Sequence, residues 1–311
     1  MNTMIKKIIL SVAIAVALSG CHSNNDPEPQ NPTALVLMAA VYGINDGDVS
    51  VWHSGQPFGV YKLGSDNTPA AANAQHRADN RGATGYLVPD GAALCLPDDG
   101  KQVDIAAYYP YDESAQDNGH TTTITVSEGM APDAFLWARC NNADRNNHRI
   151  TMKFKSQLAQ IRMRILNDDP ATARIVARIE GAPRSCRFDV INGCYIGSPA
   201  CDSPIGVPVT VREGAFECSA VVAAAESAAG GPVLQITALD NSGKEIRRYP
   251  PIPLGNMLEL ADGRTFKANT VYNLAGNLTA EDVKLQFTGA SPICILSWDT
   301  DSNEEFGTII K

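Results

Sequence analysis

Between Arg149 and Ile165 the chain reads RITMKFKSQLAQIRMRI, and this alternation constrains its fold more than any other feature. Ile150, Met152 and Phe154 are separated by Thr151 and Lys153, with Lys155 following, and Ile161, Met163 and Ile165 repeat the pattern around Arg162 and Arg164. A period of two belongs to a strand with one buried face, because successive side chains point to opposite sides of a sheet. The two halves differ in parity, which on a straight strand would turn one of them outward. The pattern therefore predicts a bulge or bend near residues 156–160. A short helix through Leu158, Ile161 and Ile165 is the competing reading.

The same period recurs along the chain, broken about every 8–12 residues by Gly, Pro, Asn or Asp. In KQVDIAAYYPYD, Val103, Ile105, Ala107 and Tyr109 share one face, and Pro110, with no N–H for a ladder, closes the strand. TTTITVSEG alternates as well. In RFDVINGCYIG, Asn192-Gly193 separates two apolar runs, and both residue types tolerate the positive φ of a two-residue hairpin turn. LQITALDNSGKEI predicts a second hairpin with a longer turn. Val283, Leu285 and Phe287 alternate, and Cys294, Leu296 and Trp298 form a last inward-facing set. The expected fold is all-β, built as antiparallel β-sandwiches. NDDPAT, residues 167–172, carries charge and a proline between patterned regions and predicts a linker. It divides the chain into an N-terminal β-sandwich domain at 34–167 and a C-terminal one at 168–311.

The N-terminus has a different character. Met1 to Lys7 hold two lysines and no acid, and Ile8 to Leu18 form an apolar run of 11 residues, well short of the ~20 that span a bilayer. Residues 1–20 are expected to be a secretory signal peptide. Leu18-Ser19-Gly20-Cys21 resembles the bacterial lipobox, which implies cleavage between Gly20 and Cys21, a diacylglycerol thioether on Cys21 and a third acyl chain on its amine. Several acyl chains hold a protein at a membrane far more firmly than one. HSNNDPEPQNPT then predicts a polar, extended tether over 21–33. An ordinary cleaved signal that happens to contain Cys21 is the plainer alternative.

The mature chain would have 291 residues, and losing Lys6 and Lys7 with the signal moves the net charge from −9 to −11. Such a chain repels phosphate backbones, which argues against nucleic acid as a partner. Seven cysteines remain, Cys95, Cys140, Cys186, Cys194, Cys201, Cys218 and Cys294, an odd number with no CxxC, so their connectivity is open and zinc spacing is lacking. His53, His76, His120 and His148 stand outside any nucleophile motif, and no enzymatic activity or cofactor is expected. Asp299, Asp301 and Asn303 have calcium-loop spacing, but Glu304 takes the place of the loop glycine and Ile310 that of its closing glutamate, which favours a solvated acidic tail over a metal site. Trp52, Trp137 and Trp298 are either core residues or a sugar platform.

The order of five segments, PFGVY at 57–61, VDIAAYYPY at 103–111, MKFKSQLAQI at 152–161, FKANTVYNLAGNL and ICILSW, together with Cys21, resembles the fimbrillin-like proteins of Bacteroides-type bacteria, relatives of the type V pilus subunits. Members often carry histidine where this chain has Ser156. The resemblance implies two tandem transthyretin-like domains, a lipid anchor in the outer membrane, surface exposure in a fimbrium, and assembly with other fimbrial subunits by β-strand exchange. It also implies contact with host or bacterial surface ligands. In stalk subunits a protease cuts after Arg or Lys to release the first strand. Here ALVLMAAVYGI, 34–44, is followed by no basic residue before Lys62, and none lies between Lys7 and that segment. The chain is therefore expected to keep its lipid and its first strand as an anchor or accessory subunit. The alternative is a surface glycan-binding lipoprotein outside any pilus.

Overall fold

Alternation becomes strand almost everywhere it occurs. The computed structural model describes residues 33–41, 54–64, 66–81, 84–117, 119–126 and 135–293, all within the unit Pro32–Lys311. Among the described residues there are strands and a 3-10 turn at Glu113–Ala115, and no α-helix. The strands are β1 (Val36–Val41), β2 (Pro57–Leu63), β3 (Ala74–Arg81), β4 (Thr84–Pro89), β5 (Val103–Tyr109), β6 (Thr121–Thr125), β7 (Leu136–Ala143), β8 (Arg149–Ser156), β9 (Leu158–Asn167) and β10 (Arg174–Glu180). They continue as β11 (Ser185–Asp189), β12 (Cys194–Ala200), β13 (Ile205–Val207), β14 (Val209–Arg212), β15 (Ala215–Ala223), β16 (Val233–Leu239), β17 (Glu245–Arg248), β18 (Ile252–Pro253), β19 (Thr270–Leu278) and β20 (Val283–Pro292).

Seven of them close into a barrel in the order β1-β4-β3-β2-β5-β7-β8. Its interior holds Leu37, Phe58, Val60, Ile105, Met152 and Phe154, with the Phe58 and Phe154 rings edge to face at 5.3 Å. Two further sheets, β13-β10-β16-β17 with β18, and β14-β15-β9-β19-β20, pack on a shared core that includes Ile161, Met163, Ile179, Phe216, Ile236 and Leu274. The third sheet, β12-β11-β6, draws β6 from before and β11 from after the segment 167–172. Its Ile124, Cys186 and Phe188 join Tyr61 and Tyr108 in a third core.

The parity change of RITMKFKSQLAQIRMRI is where the chain leaves one sheet for another. β8 ends at Ser156 and β9 begins at Leu158. Gln157 makes the bend, with its N–H donating to Phe135 O at 2.8 Å and its carbonyl accepting from Ala224 N at 3.3 Å and from the Tyr195 hydroxyl. Ile150, Met152 and Phe154 thus face the barrel interior, and Ile161, Met163 and Ile165 face the sandwich. The helical alternative does not occur. β9 pairs antiparallel with β15 and parallel with β19.

β5 departs from the one-sided reading. Val103, Ile105 and Ala107 point into the barrel as expected, but Ala106 and Tyr108 are also fully buried, in the third core. The strand is covered on both faces because the β6–β11–β12 sheet lies over it. The second hairpin, β16–β17, forms at the expected place, and Asp240 accepts from the Ser242 and Lys244 amides in its turn. The Asn192-Gly193 hairpin also forms, but Asp189 pairs with Cys194, so the loop has four residues rather than two. Asp189 Oδ1 accepts from the Ile191 and Asn192 amides, and only Gly193 takes positive φ, at 70°. Glycine is required there twice over, since a Cβ would run into the Trp137 ring. Residues 167–172 form a self-bonded turn, in which Asn167 Nδ2 donates to Thr172 O at 2.8 Å and the Thr172 hydroxyl to the buried Asp169 at 2.8 Å.

His76, on β3, is 3 % exposed, and Nδ1–H donates to Ala74 O at 3.2 Å, since a carbonyl only accepts. Burial lowers its pKa below the ordinary value. Folding therefore favours the neutral ring. The contribution is complete above the unfolded pKa of about 6.5 and is lost as pH falls from there through the lower folded pKa, because the unfolded chain takes up the proton first. The urea midpoint is expected to be lower at pH 5 than at pH 7.5, and more weakly pH-dependent in His76→Asn. An unchanged slope in that variant would rule His76 out as the source.

Candidate functional site

The segment that sequence reasoning singles out for function is the first strand. Leu35, Leu37 and Ala39 alternate with half-buried Val36 and Met38, and the first three lie at 9 %, 1 % and 4 % exposure against the barrel core. β1 is hydrogen-bonded on both sides. It runs antiparallel to β4, with Leu37 opposite Leu87, and parallel to β8, from Val36 opposite Arg149 to Val41 opposite Phe154. Flanking bonds extend the grip: Leu35 N–H to Leu94 O at 2.8 Å, Leu96 N–H to Thr33 O at 3.0 Å, and Val36 N–H to His148 O at 2.8 Å. Arg145 Nε donates to the Thr33 hydroxyl at 3.2 Å. Without this strand the barrel would have a groove flanked by Leu87 of β4 and by Ile150 and Met152 of β8, with two open rows of main-chain donors and acceptors. Another extended segment of alternating apolar side chains would complete it.

Lys62, the first basic residue after β1, lies inside β2. It pairs with Ile105 of β5, its carbonyl accepts from Ala70 N–H at 2.7 Å, and its Nζ donates to Cys95 O at 2.8 Å. A trypsin-like protease needs an extended peptide free of other pairing, so this bond is inaccessible while β2 is folded. Brief trypsin treatment of the native chain is expected to yield no peptide beginning at Leu63, as read by mass spectrometry. Early appearance of that fragment would show that β2 opens locally.

The AYYPYD motif also acquires a role. The Tyr108 hydroxyl donates to Asp112 O at 3.0 Å and accepts from Asn73 Nδ2 at 2.8 Å and from Asp112 N–H at 3.2 Å. It locks the chain as it leaves the barrel, and burial raises its pKa to about 12. Only its clustered aromatics hinted at this from sequence. The parallel partner of β1, β8, had no such signal, because pairing across 113 residues, from Val36 to Arg149, leaves no local trace.

The other candidate residues are not brought together. Trp137 bridges to the β11–β12 loop through Nε1–H to Val190 O at 2.8 Å. His120 packs edge-on against Tyr61, and His148 sits beside Arg145 O. The six described cysteines are unpaired, and burial raises the Cys186 and Cys218 thiols to about 12, away from thiolate chemistry. No group of His, Cys, Asp and Glu suited to a metal occurs among the described residues. Cys21, Trp52, His53, Cys294, Trp298, Asp299, Asp301 and Asn303 lie outside the described residues.

A family model described as fimbrillin-like matches residues 44–290. A Bacteroides uniformis protein named as a candidate fimbrium subunit is 24% identical over 197 residues, covering 60% of this chain and 65% of that protein. The chain thus spans just under two thirds of the length of that curated relative. Two solved structures, each named as a candidate cell adhesion protein, come from Bacteroides uniformis and Bacteroides ovatus. They match with TM-scores of 0.64 and 0.62 at 20% and 13% identity, covering 86% of this chain and 99% of each of theirs. At these identities the likeness bears on the fold.

Proposed function

The chain belongs to the fimbrillin-like family, and from that premise we propose that it is a cell-surface fimbrial subunit of the anchor or accessory kind, held at the outer membrane by acylated Cys21 and keeping β1 in its own barrel. The observation that carries this reading is the placement of β1 between β4 and β8 in a chain with no Lys or Arg from residue 8 to residue 61. A subunit that cannot shed its first strand does not open a groove of its own. It offers neighbours its edges instead, and strand exchange would then involve a groove on another subunit. Two tandem transthyretin-like domains, 34–167 and 168–311, remain part of the proposal; β9, at the end of the first range, pairs with β15 and β19. The glycan-binding alternative is not favoured by the family match.

The test is the mature N-terminus on the cell surface. Mass spectrometry is expected to find an N-terminal peptide starting at Cys21 and carrying acyl chains. A start at Leu63, or an unacylated secreted product, overturns the proposal. Copurification with other subunits in SDS-resistant polymers separates a fibre component from a solitary lipoprotein.

A further inference from the structure

A cavity of about 490 Å³ opens beside β6, lined by Asp112, Ser114, Thr121, Thr122, Thr123 and Arg187. Three consecutive residues of one strand point alternately to its two faces, so a cavity touching all three must wrap the strand's edge. β11 occupies one edge of β6, and no described strand pairs with the other. Thr123 and Arg187 are directly opposite in the β6–β11 register and share the outer face with Thr121.

The lining residues are all polar or charged, and the two charges differ in availability. Asp112 is engaged: Oδ1 accepts from Ser114 N–H at 2.9 Å and from its hydroxyl at 2.7 Å, and Oδ2 accepts from the Thr122 hydroxyl at 2.6 Å. Burial alone would raise this carboxyl, but the bonds from Thr122 and Ser114 outweigh it and leave the pKa lowered, so the group is ionised at neutral pH. Arg187 is engaged only once among the described residues, from NH2 to the Thr121 hydroxyl at 3.0 Å. Most of its five N–H donors remain, in the fork that matches a carboxylate. The Thr123 hydroxyl makes no hydrogen bond among the described residues.

The geometry points to a binding site for a small hydroxylated monocarboxylate, the chemistry of a sugar acid, with its carboxylate on Arg187 and its hydroxyls against Thr123 and the remaining lone pair of Asp112. No apolar side chain lines the cavity for a hydrophobic ligand. A dianion such as phosphate is disfavoured by the Asp112 charge in the same lining and by the chain's net −9. This inference stands apart from fimbrial assembly.

D-glucuronate is the probe, titrated into the full chain from Cys21 onward by calorimetry or ligand-observed NMR. Glucose, acetate and inorganic phosphate serve as comparisons. Saturable glucuronate binding is expected at millimolar concentration, at least tenfold weaker in Arg187→Gln and several-fold weaker in Thr123→Val. Both residues are exposed, and circular dichroism would confirm that both variants fold. Glucose, lacking the carboxylate, and acetate, lacking the hydroxyls, should each bind at least tenfold more weakly than glucuronate. Absence of glucuronate binding, undiminished binding in Arg187→Gln, or phosphate binding as tightly as glucuronate would each overturn the assignment.

Discussion

A chain that begins at residue 42, without β1, is expected to lose its barrel, and a separate peptide of residues 33–41 is expected to restore it. Removing the strand takes Leu35, Leu37 and Ala39 out of a core where all three are at most 9 % exposed. It also unpairs β4 on one side and β8 on the other. Truncating one buried leucine costs roughly 2–5 kcal/mol, so losing two with their ladders removes on the order of 5–10 kcal/mol. That is comparable with the whole stability of an ordinary domain, about 5–15 kcal/mol. The truncated chain should show an early, separate unfolding transition, or self-association through the open groove. The peptide should abolish either, and a peptide carrying Leu37→Asp should not. If the shortened chain unfolds like its parent, β1 does not close the barrel and the retained-strand proposal loses its basis.

The second large effect is at Gly276→Ala. Gly276 lies within β19, opposite Leu285 of β20, and a Cβ there would overlap the Lys284 carbonyl oxygen and approach its carbonyl carbon. Those are backbone atoms, which cannot rotate aside as a side chain would. Either the two strands separate locally or the pairing shifts, and a one-residue shift would turn Phe287 and Leu285 from the core side of the edge strand. The cost should reach or exceed the upper end of the ~1–3 kcal/mol typical of overpacking. Amide exchange should accelerate along β20 in particular. Ala275→Ser, one residue away and only half-buried, should stay within about 0.5 kcal/mol. Equal melting of the two variants would mean that β20 is not held in this register.

Much of the architecture can be traced to specific stretches of sequence. The parity slip after Phe154 marked the bend at Gln157, because strand geometry allows no other way for both apolar sets to be buried. Asn192-Gly193 marked a hairpin, although Asp189, by capping two loop amides, lengthened its turn. NDDPAT had the composition of a linker, yet Asp169 is 5 % exposed and bonded within the turn. Composition reports how readily a segment is solvated, and says nothing of the partners that its hydroxyls and amides find locally. The cavity at β6 was not legible at all: Asp112 and Arg187 are 75 positions apart and meet only because β6 pairs with β11.

The amino-acid sequence by itself determined that this chain is made of strands, which face of most strands is apolar, and where the chain must turn, since all of these follow from side-chain period and backbone preference within a few residues. Only the tertiary structure decided that β1 lies parallel to β8 and β9 to β19, that the first sheet closes on itself, and that β5 is buried on both faces. Alternation specifies a face but names no partner. The choice among partners is made by the summed packing of distant strands, which no local pattern encodes.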